Sequence, residues 1–324
     1  AITYFLFLLM PVGTKLLKPH LLLKLVVMNQ KSALNKESYA SCLIVGIMAL
    51  LCLFPFWVAV VNSFASENSV TLSGYSIIPK ELSLDGYKYL LNNKGIMLLR
   101  SFGISFLIVI VGTAYTMFVT VCFAYAISQD RKDFPPANVL SFFSWFTTVF
   151  SGGVIPWYIL CTRYYGLYNN LWALFIPSAL NVFNMFVIRN SFKAIPKDLI
   201  EAARIDGASN LRIFLSIGLP LAKVGLVTIG LFTLLGYWND FQLSLYLVNN
   251  SELFPVQKML YTMMANISFL VSGSVDASVL SHAVLPTNTA KMVMTVLTVL
   301  PVAFVFPLAQ KYFVKGITVG AVKG

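Results

Sequence analysis

Six long apolar runs separated by polar segments constrain the fold of this chain more than any other feature. They cover residues 40–61, 102–127, 139–160, 171–188, 221–248 and 292–313. An α-helix needs about 20 apolar residues to cross the hydrocarbon core of a bilayer. Only 11% of the residues are charged, whereas soluble domains have about 25%. The pattern predicts an all-α integral membrane protein with six spans.

The distribution of positive charge predicts the orientation of these spans. With the N-terminus inside, sixteen of the 23 lysines and arginines fall on inner segments. Positive residues accumulate on cytoplasmic loops, so we expect both termini in the cytoplasm and extracytoplasmic loops at 62–101 and 249–291. The net charge of +11 is explained by this topology, and no nucleic-acid partner is expected.

The predicted organisation is one membrane domain, 40–313, between an N-terminal segment, 1–39, and a cytoplasmic tail, 314–324. Residues 1–27 contain a short apolar stretch followed by lysines. Two interpretations are open: an amphipathic segment on the cytoplasmic surface, or an upstream extension with Met28 as the functional start.

The residue types that catalysis and metal binding need are sparse. The four cysteines form no CxxC pair, and His20 and His282 lack partners at ligand spacing. No Walker-type loop or hydrolase motif is present. We therefore expect no catalytic residue, no metal site and no cofactor in this chain.

A charged segment at 196–220 interrupts the apolar pattern on the predicted inner side. Pro196 suits the first turn of a helix, and Asp198 lies near its positive end. Gly207 is expected to end this helix, and Ser209 to cap a second short one. Pro220 then marks the turn into the fifth span.

The same segment is suited to contact with a partner. Ala202 and Ala203 allow close approach, while Glu201, Arg204 and Asp206 offer charge at the edges. A helix set in a groove is a recurring recognition mode. Packing against the protein's own helices explains the pattern equally well.

The order Glu-Ala-Ala-x-x-Asp-Gly-Ala-Ser, continued by Ile-x-Leu-Pro at 217–220, resembles the EAA loop of bacterial ABC importer permeases. The sequence Trp-Asn-Asp-Phe at 238–241 and the C-terminal tail are similar to MalG-type carbohydrate permeases, the tail to their LplC-like branch. The resemblance covers about 35–324 and excludes 1–27. It implies a type I, MetI/MalG-like transmembrane domain of six helices with a cytoplasmic coupling helix.

The resemblance also implies partners in the bacterial inner membrane: a second permease, two ATPase subunits and an extracytoplasmic sugar-binding protein. ATP and Mg²⁺ would be bound by the ATPase subunits. Glu201 would pair with a basic residue of an ATPase, and Gly207 would permit a bend. The implied coupling residues are Glu201, Ala202, Ala203, Asp206, Gly207 and Ala208.

Polar residues inside the predicted spans are candidates for the substrate path, because such residues are costly in lipid. They are Asn181, Asn184, Asn239 and Asp240, with Trp238 as a stacking surface for a sugar. Helix–helix hydrogen bonding by amides is the alternative explanation.

The substrate class follows from the resemblance alone: an oligosaccharide, with an acidic fragment such as alginate or pectin implied by the LplC-like branch. The loop 249–291 is expected to contact the binding protein, or else to be a solvated connector. An intramembrane enzyme and a stand-alone carrier are the competing functions.

Overall fold

A computed structural model describes residues 36–271 and 288–304. The predictions for 1–35 and for the tail therefore lie outside the described residues. We number the helices in chain order. Their bounds are α1 Lys36–Ser63, α2 Glu67–Ser73, α3 Asp85–Ser128, α4 Ala137–Val149, α5 Val154–Ile159, α6 Val182–Lys193, α7 Lys197–Ile205, α8 Asn210–Ile213, α9 Lys223–Asn239, α10 Gln242–Leu247, α11 Val256–Val271 and α12 Asn288–Phe304.

Shorter helical turns connect several of these elements. A π-helical turn, Leu160–Tyr164, extends α5, and a second, Phe214–Gly218, extends α8 and leads into the α-helical turn Leu219–Leu221. The 3₁₀ turns Leu171–Leu174 and Ile176–Ser178 precede α6. An isolated bridge between Ala65 and Leu82 is the extent of β-structure in the described residues.

Two helical segments, Ser41–Ser63 and Lys94–Ser128, are each long and apolar enough to cross a membrane. Three of the other apolar runs are not single straight helices. The third is broken between α4 and α5, the fourth before α6, and the fifth begins at a break before α9, with bends of 119°, 55° and 77°. The six predicted spans therefore include three that change direction at a break in the helix.

The breaks have local causes. Gly153 adopts φ +83° between α4 and α5, a conformation that residues with a Cβ rarely adopt. Before α6, Asn181 is extended, and its side chain caps the new helix. Hydropathy does not register these changes of direction, because the residues at the breaks lie within apolar surroundings.

The described residues divide into two compact units, one of 36–86 with 288–296 and one of 87–271 with 297–304. In the first unit, the buried Asn62 amide bonds to the Val58 carbonyl and to both the N–H and the carbonyl of Ser76. Glu67 accepts hydrogen bonds from the first turn of α12. These contacts fold the α1–α2 connection back onto its own helices.

The second unit has an apolar core where α3, α6 and α9 meet. Val121, Ile127, Met185, Ile188 and Ile229 are buried in it. Burial of apolar area stabilises such a core within a protein, and here it also forms the support on which the 196–220 segment rests.

Candidate coupling site and translocation path

The first helix of the 196–220 segment, α7, begins and ends where the sequence predicts. Pro196 precedes it and Asp198 lies in its first turn. At its end, Gly207 has φ +78°. The N–H of Ala208 donates to the Ala203 carbonyl at 2.9 Å, and that of Gly207 to the Arg204 carbonyl at 3.0 Å. This Schellman motif satisfies the terminal carbonyls and confirms Gly207 as the stop.

The second helix, α8, is also capped as expected. The Ser209 hydroxyl accepts the backbone N–H of Arg212 at 3.3 Å. After the π-helical turn, Pro220 lies in the last turn before the 77° bend into α9. The helix–glycine–helix arrangement is therefore confirmed as a structure, independently of any partner.

Only one side of α7 contacts the rest of the unit. Ile200 packs against the apolar core, as do Phe214 and Ile217 of the π-helical turn that follows α8. Leu199 is 48% exposed and Ile205 86% exposed. These two apolar side chains are turned away from the core, so the described residues of the unit leave part of this helix uncovered.

The predicted coupling residues lie mainly on the open side. Glu201, Ala202, Asp206 and Gly207 are exposed, while Ala203 and Ala208 are partly buried. The Glu201 carboxylate makes no hydrogen bond or ion pair with the residues that the structure describes. It is exposed, and its charge acts on the neighbouring Lys197 and Arg204 of the same helix.

Two ion pairs hold α7 to the loop 129–136 between α3 and α4. Lys197 lies 2.6 Å from Asp130. Arg204 binds both carboxylate oxygens of Asp133, at 3.1 and 2.7 Å. The prediction that Arg204 offers its charge at the edge of the segment was wrong, because Asp133 occupies its guanidinium.

These pairs shift the ionisation of their members in the expected directions. The hydrogen bond and charge of Lys197 lower the pKa of Asp130, and those of Asp130 raise the pKa of Lys197. The hydrogen bonds that Arg204 donates to the Asp133 carboxylate raise the pKa of Arg204. The Lys197–Asp130 pair thus favours the charged forms of both its members. Asp130 and Asp133 are not among the residues singled out from the sequence. The only sequence indication of their role is that two carboxylates occur in one short loop.

The candidate path residues near α6 serve partly in local structure. The Asn181 side chain accepts the backbone N–H of Asn184 at 3.0 Å and so caps α6. The Asn184 side chain is partly buried. Its amide makes no hydrogen bond with the residues that the structure describes.

The candidates at the end of α9 are placed differently from one another. Trp238 is buried, donates from Nε1 to the Thr298 carbonyl at 3.2 Å, and packs on Phe106 at 5.3 Å between ring centroids. Asn239 donates to the Leu235 carbonyl, and Asp240 accepts the N–H of Gln242. No hydrogen bond within the described ranges joins this group to Asn181 or Asn184.

Tyr237 is not among the candidates from the sequence, yet the structure gives it a central place. Its buried hydroxyl donates to the Phe175 carbonyl at 3.1 Å and accepts from Ser178 at 3.2 Å. It also lies 2.6 Å from the Thr116 hydroxyl. One phenol thereby links α3, the broken segment before α6, and α9.

Comparison with known proteins places this architecture in a family. Residues 32–319 match the family model described as "Binding-protein-dependent transport system inner membrane component". The chain is 36% identical over 282 residues to Protein LplC of Bacillus subtilis, covering 87% of this chain and 93% of LplC. It is 35% identical over 285 residues to the polygalacturonan/rhamnogalacturonan transport system permease protein YtcP of the same organism, covering 86% and 95%.

A solved structure shows the same fold. The crystal structure of a bacterial ABC transporter involved in the import of the acidic polysaccharide alginate aligns with a TM-score of 0.74 at 28% identity. The alignment covers 87% of this chain and all of that one. The predicted type I permease fold is therefore confirmed. The chain belongs to the binding-protein-dependent inner membrane components, which are non-catalytic permease subunits of ABC transporters whose ATPase activity resides in separate subunits.

Proposed function

We propose that this chain forms one half of the translocation path of an ATP-driven oligosaccharide importer, and that its substrate is an acidic polysaccharide fragment. Two similar proteins support the acidic substrate: YtcP is named for polygalacturonan and rhamnogalacturonan, and the solved transporter for alginate. A neutral oligosaccharide is the second candidate, favoured by the 28% identity to the trehalose/maltose permease MalG of Thermococcus litoralis.

The coupling function rests on one observation: α7 is anchored on one side and open on the other. The core contacts of Ile200 and the Arg204–Asp133 pair hold the helix to the unit. Ile205 and Glu201 remain exposed. An ATPase subunit docked here covers the apolar side chain and pairs with the Glu201 carboxylate. A movement of the ATPase subunit that displaces α7 is then transmitted directly to α3 and α6.

The remaining coupling residues have steric roles in this proposal. Ala202 and Ala203 let the ATPase surface approach the helix backbone. Gly207 and Ala208 form the Schellman turn, and Asp206 lies at its edge. ATP and Mg²⁺ are bound by the ATPase subunits, and this chain needs no cofactor of its own.

The proposed topology places α7 in the cytoplasm with both chain termini, and the loops 62–101 and 249–291 outside. The excess of lysine and arginine on the inner segments supports it. A partner permease completes the path, and an extracytoplasmic binding protein delivers the sugar to the outer loops.

For the path itself we propose that Asn181, Asn184, Asn239 and Asp240 present polar groups to the sugar. Trp238, buried against Phe102 and Phe106, supports Asn239 and Asp240 from behind in the described conformation. It reaches the path only if the helices around it separate.

Reconstitution of the complete transporter with Glu201→Gln tests the coupling proposal. Loss of a charged hydrogen bond is worth about 1.5–3 kcal/mol, so we expect uptake to fall by about tenfold or more while the complex still assembles. Glu81→Gln is the matched control, because Glu81 is an exposed carboxylate that is distant from Glu201 in the sequence. Unchanged uptake and unchanged stimulated ATPase activity in Glu201→Gln would overturn the assignment.

A further inference from the structure

The loop that follows α1 turns back along the helix from which it comes. The indole N–H of Trp57 donates to the Ile77 carbonyl at 3.1 Å. The side-chain amide of Asn62 binds both backbone polar groups of Ser76, the carbonyl at 2.8 Å and the N–H at 3.0 Å. The backbone of Ser76 and Ile77 therefore lies beside the last two turns of α1, and not beyond its end at Ser63.

The chain then returns to the end of the helix. The Ser66 N–H donates to the Glu81 carbonyl at 3.0 Å, and the Ser83 N–H donates to the Phe64 carbonyl at 2.8 Å. All four residues lie outside α1, next to its C-terminal end. The loop thus has a tip, residues 77–78, that reaches back along α1 from the level of its own base.

The length of α1 indicates the depth of this tip in a membrane. The apolar helical segment Ser41–Ser63 has 23 residues, or about 34 Å at 1.5 Å per residue. A hydrocarbon core of about 30 Å therefore takes up almost all of it. Trp57 lies about 9 Å before the end of this segment, near the boundary between acyl chains and headgroups, where tryptophan is enriched.

The side chains of the tip are apolar and exposed. Ile77 is 59% exposed and Ile78 is 74% exposed. The segment 74–79 contains no charged residue, and the charged pair Lys80 and Glu81 follows it. Apolar character is therefore concentrated at the part of the loop that lies deepest along α1.

The exposed apolar surface of α1 continues onto the tip. Leu50, Phe54 and Trp57 are spaced by four and three residues, so they share one face of the helix, and all three are exposed. The Ile77 carbonyl is hydrogen-bonded to the last of them. The face of α1 that is available to lipid thus extends to Ile77.

The backbone of the tip is prepared for apolar surroundings. Irregular backbone is excluded from lipid unless its polar groups have partners. Side chains of α1 supply partners for the N–H and carbonyl of Ser76 and for the carbonyl of Ile77. Pro79, just after the tip, has no N–H to satisfy. These bonds are needed at the edge of the hydrocarbon, whereas water would solvate the same groups without them.

A lysine lies at the base of the loop. The Lys80 ammonium donates to the Ser73 hydroxyl at 3.0 Å and so closes the segment 73–80. Lysine side chains at a membrane surface keep their charge among the headgroups while their methylene groups cover apolar surface. The position of Lys80 beside an apolar tip matches that arrangement.

We propose that the tip is an interfacial anchor: Ile77 and Ile78 insert into the boundary between headgroups and acyl chains. The leaflet is the one at the C-terminal end of α1, which is the outer leaflet in the proposed topology. Trp57 and Asn62 hold the tip in place by their hydrogen bonds. The predicted loop 62–101 is then partly bound to lipid, and the anchor fixes the outer end of the first span whichever sugar is carried.

Photochemical crosslinking in the complete transporter tests the anchor. The photoreactive amino acid p-benzoylphenylalanine replaces Ile78, and the complex is reconstituted in liposomes of phosphatidylethanolamine and phosphatidylglycerol and irradiated. Mass spectrometry of the chain then measures the yield of phospholipid adduct. The same replacement at Leu50 gives the reference for lipid, and at Glu81 the reference for water. The yield at Ile78 is expected to be closer to that at Leu50 than to that at Glu81.

A second variant tests the hydrogen bond that positions the tip. Trp57→Phe keeps an aromatic ring but removes the indole N–H, so the lipid adduct at Ile78 is expected to decrease toward the Glu81 reference. Phe54→Leu is the matched control, because Phe54 lies on the same exposed face and its side chain has no hydrogen-bonding group. An unchanged adduct in Trp57→Phe would overturn the role of the indole.

The identity of the adduct decides between the occupants of this surface. Phospholipid at Ile78 supports the anchor. A product with the mass of another subunit would show that the partner permease covers the tip, and a yield as low as at Glu81 would show that water does; either result overturns the proposal. Uptake measured for each variant identifies folding defects, and none of these outcomes depends on whether the transported sugar is acidic.

Discussion

The hydroxyls of Tyr237 and Thr116 lie 2.6 Å apart in the interior of the second unit. Tyr237 also donates to the Phe175 carbonyl, at the point where the chain breaks before α6. A carbonyl released by a broken helix needs a partner when no water is present. The phenol supplies it and links the break to α3.

Tyr237→Phe removes this link and leaves the Phe175 carbonyl with the Ser178 hydroxyl, at 3.3 Å, as its remaining side-chain donor. Interhelical hydrogen bonds in membrane proteins contribute about 0.6 kcal/mol each, at most about 1.7, so we expect a loss of about 1–2 kcal/mol. Thermal unfolding in detergent measures it. Tyr246→Phe is the control, since the Tyr246 ring is exposed and contacts Trp157 by its edge; equal effects of the two changes would contradict the expectation.

Gly112 is predicted to tolerate no side chain. A Cβ there would lie 3.0 Å from Cζ of Tyr237 and 3.1 Å from Cβ of Phe175. Alanine normally favours a helix over glycine by about 1 kcal/mol, but here the clash outweighs that gain, and Gly112→Ala is expected to lower the unfolding temperature.

Gly103 provides the comparison within the same helix, because a Cβ there meets nothing within 4 Å. Gly103→Ala is expected to be neutral or slightly stabilising in the same unfolding measurement. A stabilising Gly112→Ala would show that Tyr237 and Phe175 move aside at little cost.

The Arg204–Asp133 pair is predicted to transmit movement between α7 and the loop after α3. Asp133→Arg places two positive charges together and is expected to reduce uptake per ATP hydrolysed. The double variant Asp133→Arg with Arg204→Asp restores opposite charges and is expected to recover most of that coupling. Because both groups are about one-third exposed, the pair stabilises the fold by only about 0–1 kcal/mol.

The measurement is the ratio of uptake to ATP hydrolysis in proteoliposomes for the two single variants and the double variant. A higher salt concentration screens exposed ion pairs. It is therefore expected to reduce the differences in this ratio among the variants. If the ratio of uptake to ATP hydrolysis in the double variant is no higher than in Asp133→Arg alone, the Arg204–Asp133 pair does not transmit the coupling.

Glu67 is predicted to hold the first turn of α12. Its two carboxylate oxygens accept the N–H groups of Asn288 and Thr289, each at 2.9 Å, and the Thr289 hydroxyl at 2.7 Å. A negative charge at a helix N-terminus is favourable, so Glu67→Ala is expected to speed hydrogen exchange at these two amides by about tenfold, the loss of one charged hydrogen bond.

Glu67→Gln keeps an oxygen acceptor and is expected to give an intermediate exchange rate. The exposed Glu81, changed to Ala, serves as the control for loss of a carboxylate in the same loop. Unchanged exchange in Glu67→Ala would mean that the first turn of α12 is held by other contacts.

The sequence predicted the coupling segment in detail because its signals are local. The Gly207 stop and the Ser209 cap each depend on residues within five positions, and both were found where expected. Hydropathy predicted where apolar helices occur but not the bends at Gly153 and before α6, since a change of direction leaves apolar character unaltered.

The roles of Trp238 and Arg204 were not predictable in this way. The indole N–H of Trp238 donates a hydrogen bond to a carbonyl 60 residues away in the sequence. The guanidinium of Arg204 donates to a carboxylate 71 residues away. Composition and short-range pattern are enough to predict an all-α membrane protein with a charged helix–glycine–helix segment between its apolar runs, because helix signals act over a few residues. Which polar groups remain free for a partner or a sugar depends on contacts between distant segments, and these exist only once the chain has folded.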